Sequence, residues 1–312
     1  NEMFSLQKFA KDIKDKVMQK DRAFFTKEFG NKAVCIYSAH HNQPNQPPNY
    51  ISNQEENAED EDALLRKVYG YPFGKTGGEW LHSFRRDKHV RPWKFKPGLS
   101  VHQTWDFNAT PYVTQINAQI DFVTRYWDDV LKLKHDAPAP GLKAMDVMVI
   151  HFYKEYCLDP PQDTTEASAE AFAADHDPAV TELFYYGDAN GLTRIEGLGS
   201  QTNFKYIEDT LYMFMHNDSK KVKMPNVGVF ARRDLLNKIF AGKIPSVEIY
   251  FDPEGCPLTI LDCELVKKGP KGKVKEEETD PITKKKFQKR GHQTDAVEYL
   301  VSEVCKHFLK TD

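Results

Sequence analysis

Residues 99–108 (LSVHQTWDFN), 112–123 (YVTQINAQIDFV) and 145–156 (MDVMVIHFYKEY) decide how this chain folds. Each is rich in β-branched and aromatic residues, and irregular or turn-forming stretches separate them, which is the signature of three consecutive strands. Next come TTEASAEAFAADH (164–176), an Ala-rich helical stretch opened by Thr, and TELFYYGDANG (181–191), a short apolar run stopped by Gly-Asp. Further on, NFKYIEDTLYMFM (203–215) and RRDLLNKIF (232–240) read as helices around a possible strand KVKMPNVGV (221–229). VEIYF (247–251) reads as a buried strand. The last element, QTDAVEYLVSEVCKHFL (293–309), sets Val297, Leu300, Val301, Val304, Cys305 and Phe308 on one helical face.

Three strands, a crossover helix, a fourth strand and then alternating helices and strands predict an α/β, ribonuclease-H-like fold with a mixed central sheet flanked by helices. The expected division is an arm or linker over 1–95 and the main domain over 96–312. The arm reads as mostly helical or irregular: one short strand KAVCIY (32–37), a Pro/Asn loop HHNQPNQPPNY (40–50), and an acidic run QEENAEDEDA (54–63) before a helix. It has too few apolar residues to suggest a core of its own, and His40 and His41 are expected to be exposed.

Composition narrows the function classes. The formal charge of -3 leaves no global basic field, so any nucleic-acid contact must come from local patches. No apolar run is long enough to cross a bilayer, so no membrane role is expected. Five scattered cysteines without a C-x-x-C pair argue against a disulfide framework or zinc knuckle and point to a reducing compartment.

Three acids fall where such a sheet would bring them together: Asp106 in the first strand, Asp188 at the end of the fourth, and Asp295 at the opening of the last helix, where Thr294 is the expected N-cap. Carboxylates suit hydrolysis of phosphodiesters because Mg²⁺ and Mn²⁺ are hard ions that prefer oxygen, and two ions sharing ligands can activate water and stabilise the leaving oxygen. Asp106 is the most telling, since an aspartate between Trp105 and Phe107 is desolvated unless a cation meets it. Glu155, on the third strand, is a secondary metal candidate. The expected cofactor is therefore two Mg²⁺ or Mn²⁺ ions.

Between 267 and 290 the chain reads KKGPKGKVKEEETDPITKKKFQKR. Lys267, Lys268, Lys271, Lys273, Lys284, Lys285 and Lys286 in this hairpin or loop, together with Arg194, are the candidate phosphate contacts. Arg232 and Arg233 are weaker candidates of the same kind. The string Gly70 to Thr76 imitates a phosphate loop, but its spacer is one residue short and contains Pro72, so no nucleotide binding is expected here.

TWDFN followed by Pro111, YYGDANG followed by Arg194, and GHQTDAVEYL resemble the nuclease domain of tailed-phage terminase large subunits, over about 100–308. SAHHNQPNQPPNYI (38–51) and YGYPFGKTGGEWLHSF (69–84) look more loosely like the end of the preceding ATPase domain and its linker. The resemblance implies metal binding by Asp106, Asp188 and Asp295 with His292 as an accessory residue. It also implies endonucleolytic cutting of concatemeric double-stranded DNA during genome packaging, in the cytoplasm of a bacterial host. The terminase small subunit and the portal or procapsid would be partners. Alternatives of the same fold are a transposase-type or other ribonuclease-H-like nuclease, and a catalytically silent nucleic-acid-binding or assembly module.

Overall fold

A computed structural model of the chain describes residues 10–17, 25–29, 32–56, 61–72, 78–107, 112–194, 200–274, 276–279, 284, 286–288 and 290–309. The chain divides into two compact units, Asn1–Glu79 and Trp80–Asp312.

In the first unit α1 (Ala10–Val17) precedes an antiparallel hairpin of β1 (Phe25–Phe29) and β2 (Lys32–Ile36), in which Phe25 pairs with Ile36. A 3-10 turn over Ala39–Asn45 leads to α2 (Tyr50–Glu56) and α3 (Glu61–Lys67). Contrary to the expectation from composition, the unit has an apolar cluster of its own, built from Ile13, Val17, Ile36, Ile51, Leu65, Val68, Tyr69 and Tyr71. Its residues are spread so thinly along the chain that no single window shows it. His40 and His41 are half-buried rather than exposed, and His41 Nδ1 takes the Ser38 amide at 3.1 Å. Of the phosphate-loop-like string, residues 73–76 lie outside the described residues.

The second unit runs α4 (Arg86–His89), β3 (Val101–Asp106), β4 (Thr114–Asp128), β5 (Leu133–His135), β6 (Lys143–Tyr156), α5 (Thr165–Asp175) and β7 (Leu183–Gly187). It continues through α6 (Asn203–Thr210), α7 (Val229–Phe240), β8 (Val247–Phe251), α8 (Pro257–Leu265), the short strands β9 (Lys267–Gly269), β10 (Gly272–Val274), β11 (Glu277–Thr279) and β12 (Lys286–Gln288), and α9 (His292–Val304). It begins ahead of the expected 95/96 boundary because Trp80, Leu81 and Phe84 are buried in its core.

The six-stranded sheet has the order β7-β3-β4-β6-β8, with β5 paired to the end of β4. β3, β4 and β6 form an antiparallel meander, while β7 joins β3 and β8 joins β6 in parallel. This is the mixed, helix-flanked α/β sheet of ribonuclease-H type that the strand order predicts. Alternation along the strands sorts neighbours to opposite faces. Phe152 and Tyr186 join the core under α7, α8 and α9, whereas Tyr153, Trp105 and Tyr185 join the core under α5 and α6. The segment 221–229 is not a strand: β7 meets the chain at the bridge Tyr185↔Lys220, just ahead of it, and at Lys221, whose amide donates to Tyr185 O at 2.9 Å. Pro225, which has no N–H to donate, stands in the middle of that segment. Among the described residues no helix is long and apolar enough to cross a membrane.

Candidate acidic site

Asp106 ends β3, and Asp188 follows the last residue of β7, its parallel neighbour. Pairing of Trp105 with Gly187 puts the two aspartates at the same end of adjacent strands, and the Asp188 amide donates to Trp105 O at 3.1 Å. Gly187 makes this possible: a Cβ there would stand 2.7 Å from Trp105 O. Asp295 arrives from α9, which is locked over β3 where the Thr104 hydroxyl donates to Ala296 O at 2.6 Å. The helix begins one turn earlier than its sequence suggests. Gly291, in the left-handed region at φ 103°, is the N-cap, and Thr294 sits inside the helix with its hydroxyl donating to Gly291 O. Asp295 therefore lies in the first turn, where the helix dipole favours a carboxylate.

The electrostatics of the three acids differ. Asp106 is buried, and His292 Nδ1 lies 3.2 Å from its Oδ2. Burial pushes its carboxyl up, the hydrogen bond from His292 pulls it down, and the negative charges of Asp295 and Asp188 push it up again. The same imidazole faces a second acceptor, Gln288 O, at 2.9 Å. A neutral ring can donate only once, so the two acceptors favour imidazolium. Burial opposes that charge, but Asp106, the Gln288 carbonyl and Asp262 together outweigh it and raise the His292 pKa. Asp188 is half-buried and takes its hydrogen bonds from neutral donors: Asn226 Nδ2 at 2.7 Å, and the amide and Nδ2 of Asn190 at 3.0 and 3.1 Å.

Asp295 is met by a cation that the sequence placed on a solvated loop. Lys273, on β10, has a side chain 2% exposed and puts Nζ 2.8 Å from Asp295 Oδ1 and 3.0 Å from Glu298 Oε1. Burial works against its charge, but Asp295 and Glu298 outweigh it and raise the ammonium pKa. Glu298, one turn along α9 and fully buried, also accepts from Trp80 Nε1 at 2.5 Å. Arg232 is buried beside the same pair, 3.9 Å from Asp295 and 3.5 Å from Glu298, with its guanidinium 4.4 Å above the Tyr299 ring. Lys273 and Arg232 thus both face carboxylates of the chain itself. Arg233 also turns inward, its Nε donating to Trp80 O.

Glu155 lies on the same sheet face, paired with Ile116, yet its oxygens are spent elsewhere. They accept from the amides of Leu258 and Thr259 and from the Thr259 hydroxyl at 2.6–2.9 Å, capping the start of α8, while burial lifts its pKa to about 7. Among the remaining phosphate-contact candidates, Lys268, Lys271, Lys284, Lys286 and Arg194 are exposed and Lys267 is half-buried, while Lys285 lies outside the described residues. Lys286 pairs with Glu277 at 3.5 Å. An open cavity of about 590 Å³ is lined by Asp295, Lys271, Lys273, Tyr299 and Val229 among others.

Among the described residues no three His, Cys, Asp or Glu side chains are grouped closely enough to enclose a metal ion. Mg²⁺ ordinarily keeps several waters and takes one or two carboxylates together with substrate phosphate, so a protein cage is not what it requires. Asp106 and Asp188 fit that pattern as hard oxygen donors, with His292 beside Asp106 as counter-charge. Asp295 is already paired with a cation.

No protein-family model and no curated protein matches this sequence. Among solved structures, the large terminase of a thermophilic bacteriophage in complex with ATP-gamma-S is similar at 14% identity and a TM-score of 0.41, over 83% of this chain and 53% of that one. The same phage protein in complex with ADP is similar at 13% identity and a TM-score of 0.43, over 85% of this chain and 54% of that one. The chain thus spans just over half the length of the structures it resembles.

Proposed function

We propose that this chain carries a divalent-metal-dependent nuclease centre acting on double-stranded DNA, with Asp106, Asp188 and Asp295 as its acids. The observation that carries the reading is the meeting of Asp106 and Asp188 at one end of two parallel strands, beside the first turn of α9. A bound Mg²⁺ or Mn²⁺ ion would supply Lewis acidity and lower the pKa of a water molecule there. Asp106 and Asp188 would hold the ion, and His292 fixes the orientation of Asp106. A two-ion arrangement would call on Asp295 as well. The exposed Lys268, Lys271, Lys284, Lys286 and Arg194 would contact backbone phosphates without reading bases, giving salt-sensitive affinity. The role in genome packaging, with a motor, a small subunit and a portal as partners, rests on the resemblance of TWDFN, YYGDANG and GHQTDAVEYL to the terminase nuclease.

The second reading, a silent nucleic-acid-binding module, is favoured by the pairing of Asp295 with Lys273. Incubation of supercoiled plasmid with Mn²⁺ or Mg²⁺ separates the two. The nuclease reading expects nicked and linear DNA, lost in Asp106→Asn, Asp188→Asn and Asp295→Asn variants that keep the wild-type circular dichroism. Wild-type cutting by any two of these variants would remove the proposed site, and a gel shift without metal-dependent products would establish the binding module.

A further inference from the structure

The carboxylates at this end of the sheet fall into two groups with different surroundings. Asp295 and Glu298 face Lys273 and Arg232, two acids against two cations, all within 4 Å. Glu298 accepts from Trp80 Nε1 and faces Lys273 Nζ at 3.0 Å and Arg232 Nε at 3.5 Å; burial and the charge of Asp295 push its pKa up, while Lys273, Arg232 and Trp80 pull it down. In the second group Asp106 faces His292, and Asp188 takes hydrogen bonds from the neutral side chains of Asn190 and Asn226. Lys273 and Arg232 thus stand with the first group.

The Lys273 side chain is almost wholly buried. Its ammonium sits 5.6 Å from the Trp80 ring centroid, and its stem passes Gly291, where a Cβ would come 3.7 Å from Lys273 Cδ. The turn that delivers it contains the buried Gly272, at φ 142°. For a divalent ion to take Asp295 Oδ1, that ammonium would have to give up a contact it shares with Glu298, and weakening a buried ion pair is costly.

We propose that Lys273 is a tethered cation that reserves Asp295, so that the free chain takes up one divalent ion, at Asp106 and Asp188, and not two. The inference rests on the metal reading above and adds which carboxylate is withheld and by which residue. It makes Lys273 a positioning residue for the acidic centre.

Mn²⁺ titration of the DNA-free chain by calorimetry, with free Mn²⁺ counted by its paramagnetic resonance, tests this. Wild type and Lys273→Arg are expected to bind one ion. Lys273→Met combined with Glu298→Gln removes one charge of each sign, preserves the balance of the buried cluster and is expected to bind two. Two ions on wild type, or one on the double variant with a cooperative melt, would overturn the proposal. If the double variant does not fold, Asp295→Asn decides, since its Mn²⁺ affinity should match wild type and a lost ion overturns the inference. Absence of Mn²⁺ binding from wild type and every variant would overturn the metal reading itself, together with this inference.

Discussion

The amide of Asp188 donates to the carbonyl oxygen of Trp105, the residue immediately before Asp106, at 3.1 Å. One backbone hydrogen bond thus sets the spacing of two acids that are far apart in the sequence. Their separation is a property of strand pairing, which a side-chain substitution elsewhere will not easily disturb.

That spacing depends on Gly187. An alanine there would place its Cβ 2.7 Å from Trp105 O and 3.2 Å from Phe204 Cζ. The Gly187→Ala chain should fold less stably by about 1–3 kcal/mol, the usual range for overpacking. It should also lose metal-dependent cutting more severely than stability, because Asp188 is pushed out of line with Asp106. Denaturant unfolding and plasmid cleavage measured on the same preparation check this; cutting at the wild-type rate would show that the strand-end spacing is immaterial.

The pair Asp106 and His292 should behave asymmetrically. His292→Ala takes the histidine from a buried carboxylate and should cost about 3–5 kcal/mol, while Asp106→Asn removes the charge that needed it and should cost far less. A double-mutant cycle by urea unfolding should therefore show the two changes to be strongly non-additive, with Asp106→Asn rescuing much of the loss in His292→Ala. Additive losses would mean that the two side chains do not interact energetically.

Much of this arrangement is legible in the sequence because it depends on local patterns. Period-two alternation locates β3, β4 and β6, and an acid at the end of an apolar strand or in the first turn of an amphipathic helix can be seen in a short window. The capture of Lys273 cannot be seen that way. It stands in KKGPKGKVKEEE, a run that reads as solvated, and nothing local distinguishes it from Lys271, which is exposed. Glu298 is hidden for the opposite reason: it falls inside an apolar helix, and its partners Trp80, Arg232 and Lys273 come from distant segments. The side of β6 that Glu155 faces is fixed only by the register shift opposite Asn117 and Ala118, which alternation alone does not forecast.

Glu155 should matter to stability rather than to any reaction. Its carboxylate takes two α8 amides and the Thr259 hydroxyl, and Glu155→Gln would turn an NH₂ group toward those donors. A loss of about 1–3 kcal/mol is expected from the unsatisfied buried donor. Thermal melts should show the loss while Mn²⁺ binding at Asp106 and Asp188 stays at its wild-type affinity; a change in metal binding would return Glu155 to the ligand set.

His89 gives the fold an acid-sensitive point remote from the acids. It is buried between Phe84 and Phe240, and its Nδ1 accepts the Arg85 amide at 2.8 Å. Burial lowers its pKa to about 4, while Arg85, Asp87 and Lys88 contribute smaller effects. The unfolded chain, with an ordinary histidine near 6.5, binds the proton first as pH falls. The contribution of neutral His89 is therefore complete above pH 6.5 and drains away as pH falls toward 4, amounting to about 2 kcal/mol lost by pH 5. His89→Phe, which keeps the ring contacts and cannot be protonated, should lose less stability than wild type between pH 7 and pH 5 by about that amount. Denaturant unfolding at the two pH values reads the difference directly, and parallel losses in both proteins would mean that His89 is already solvated in the native state.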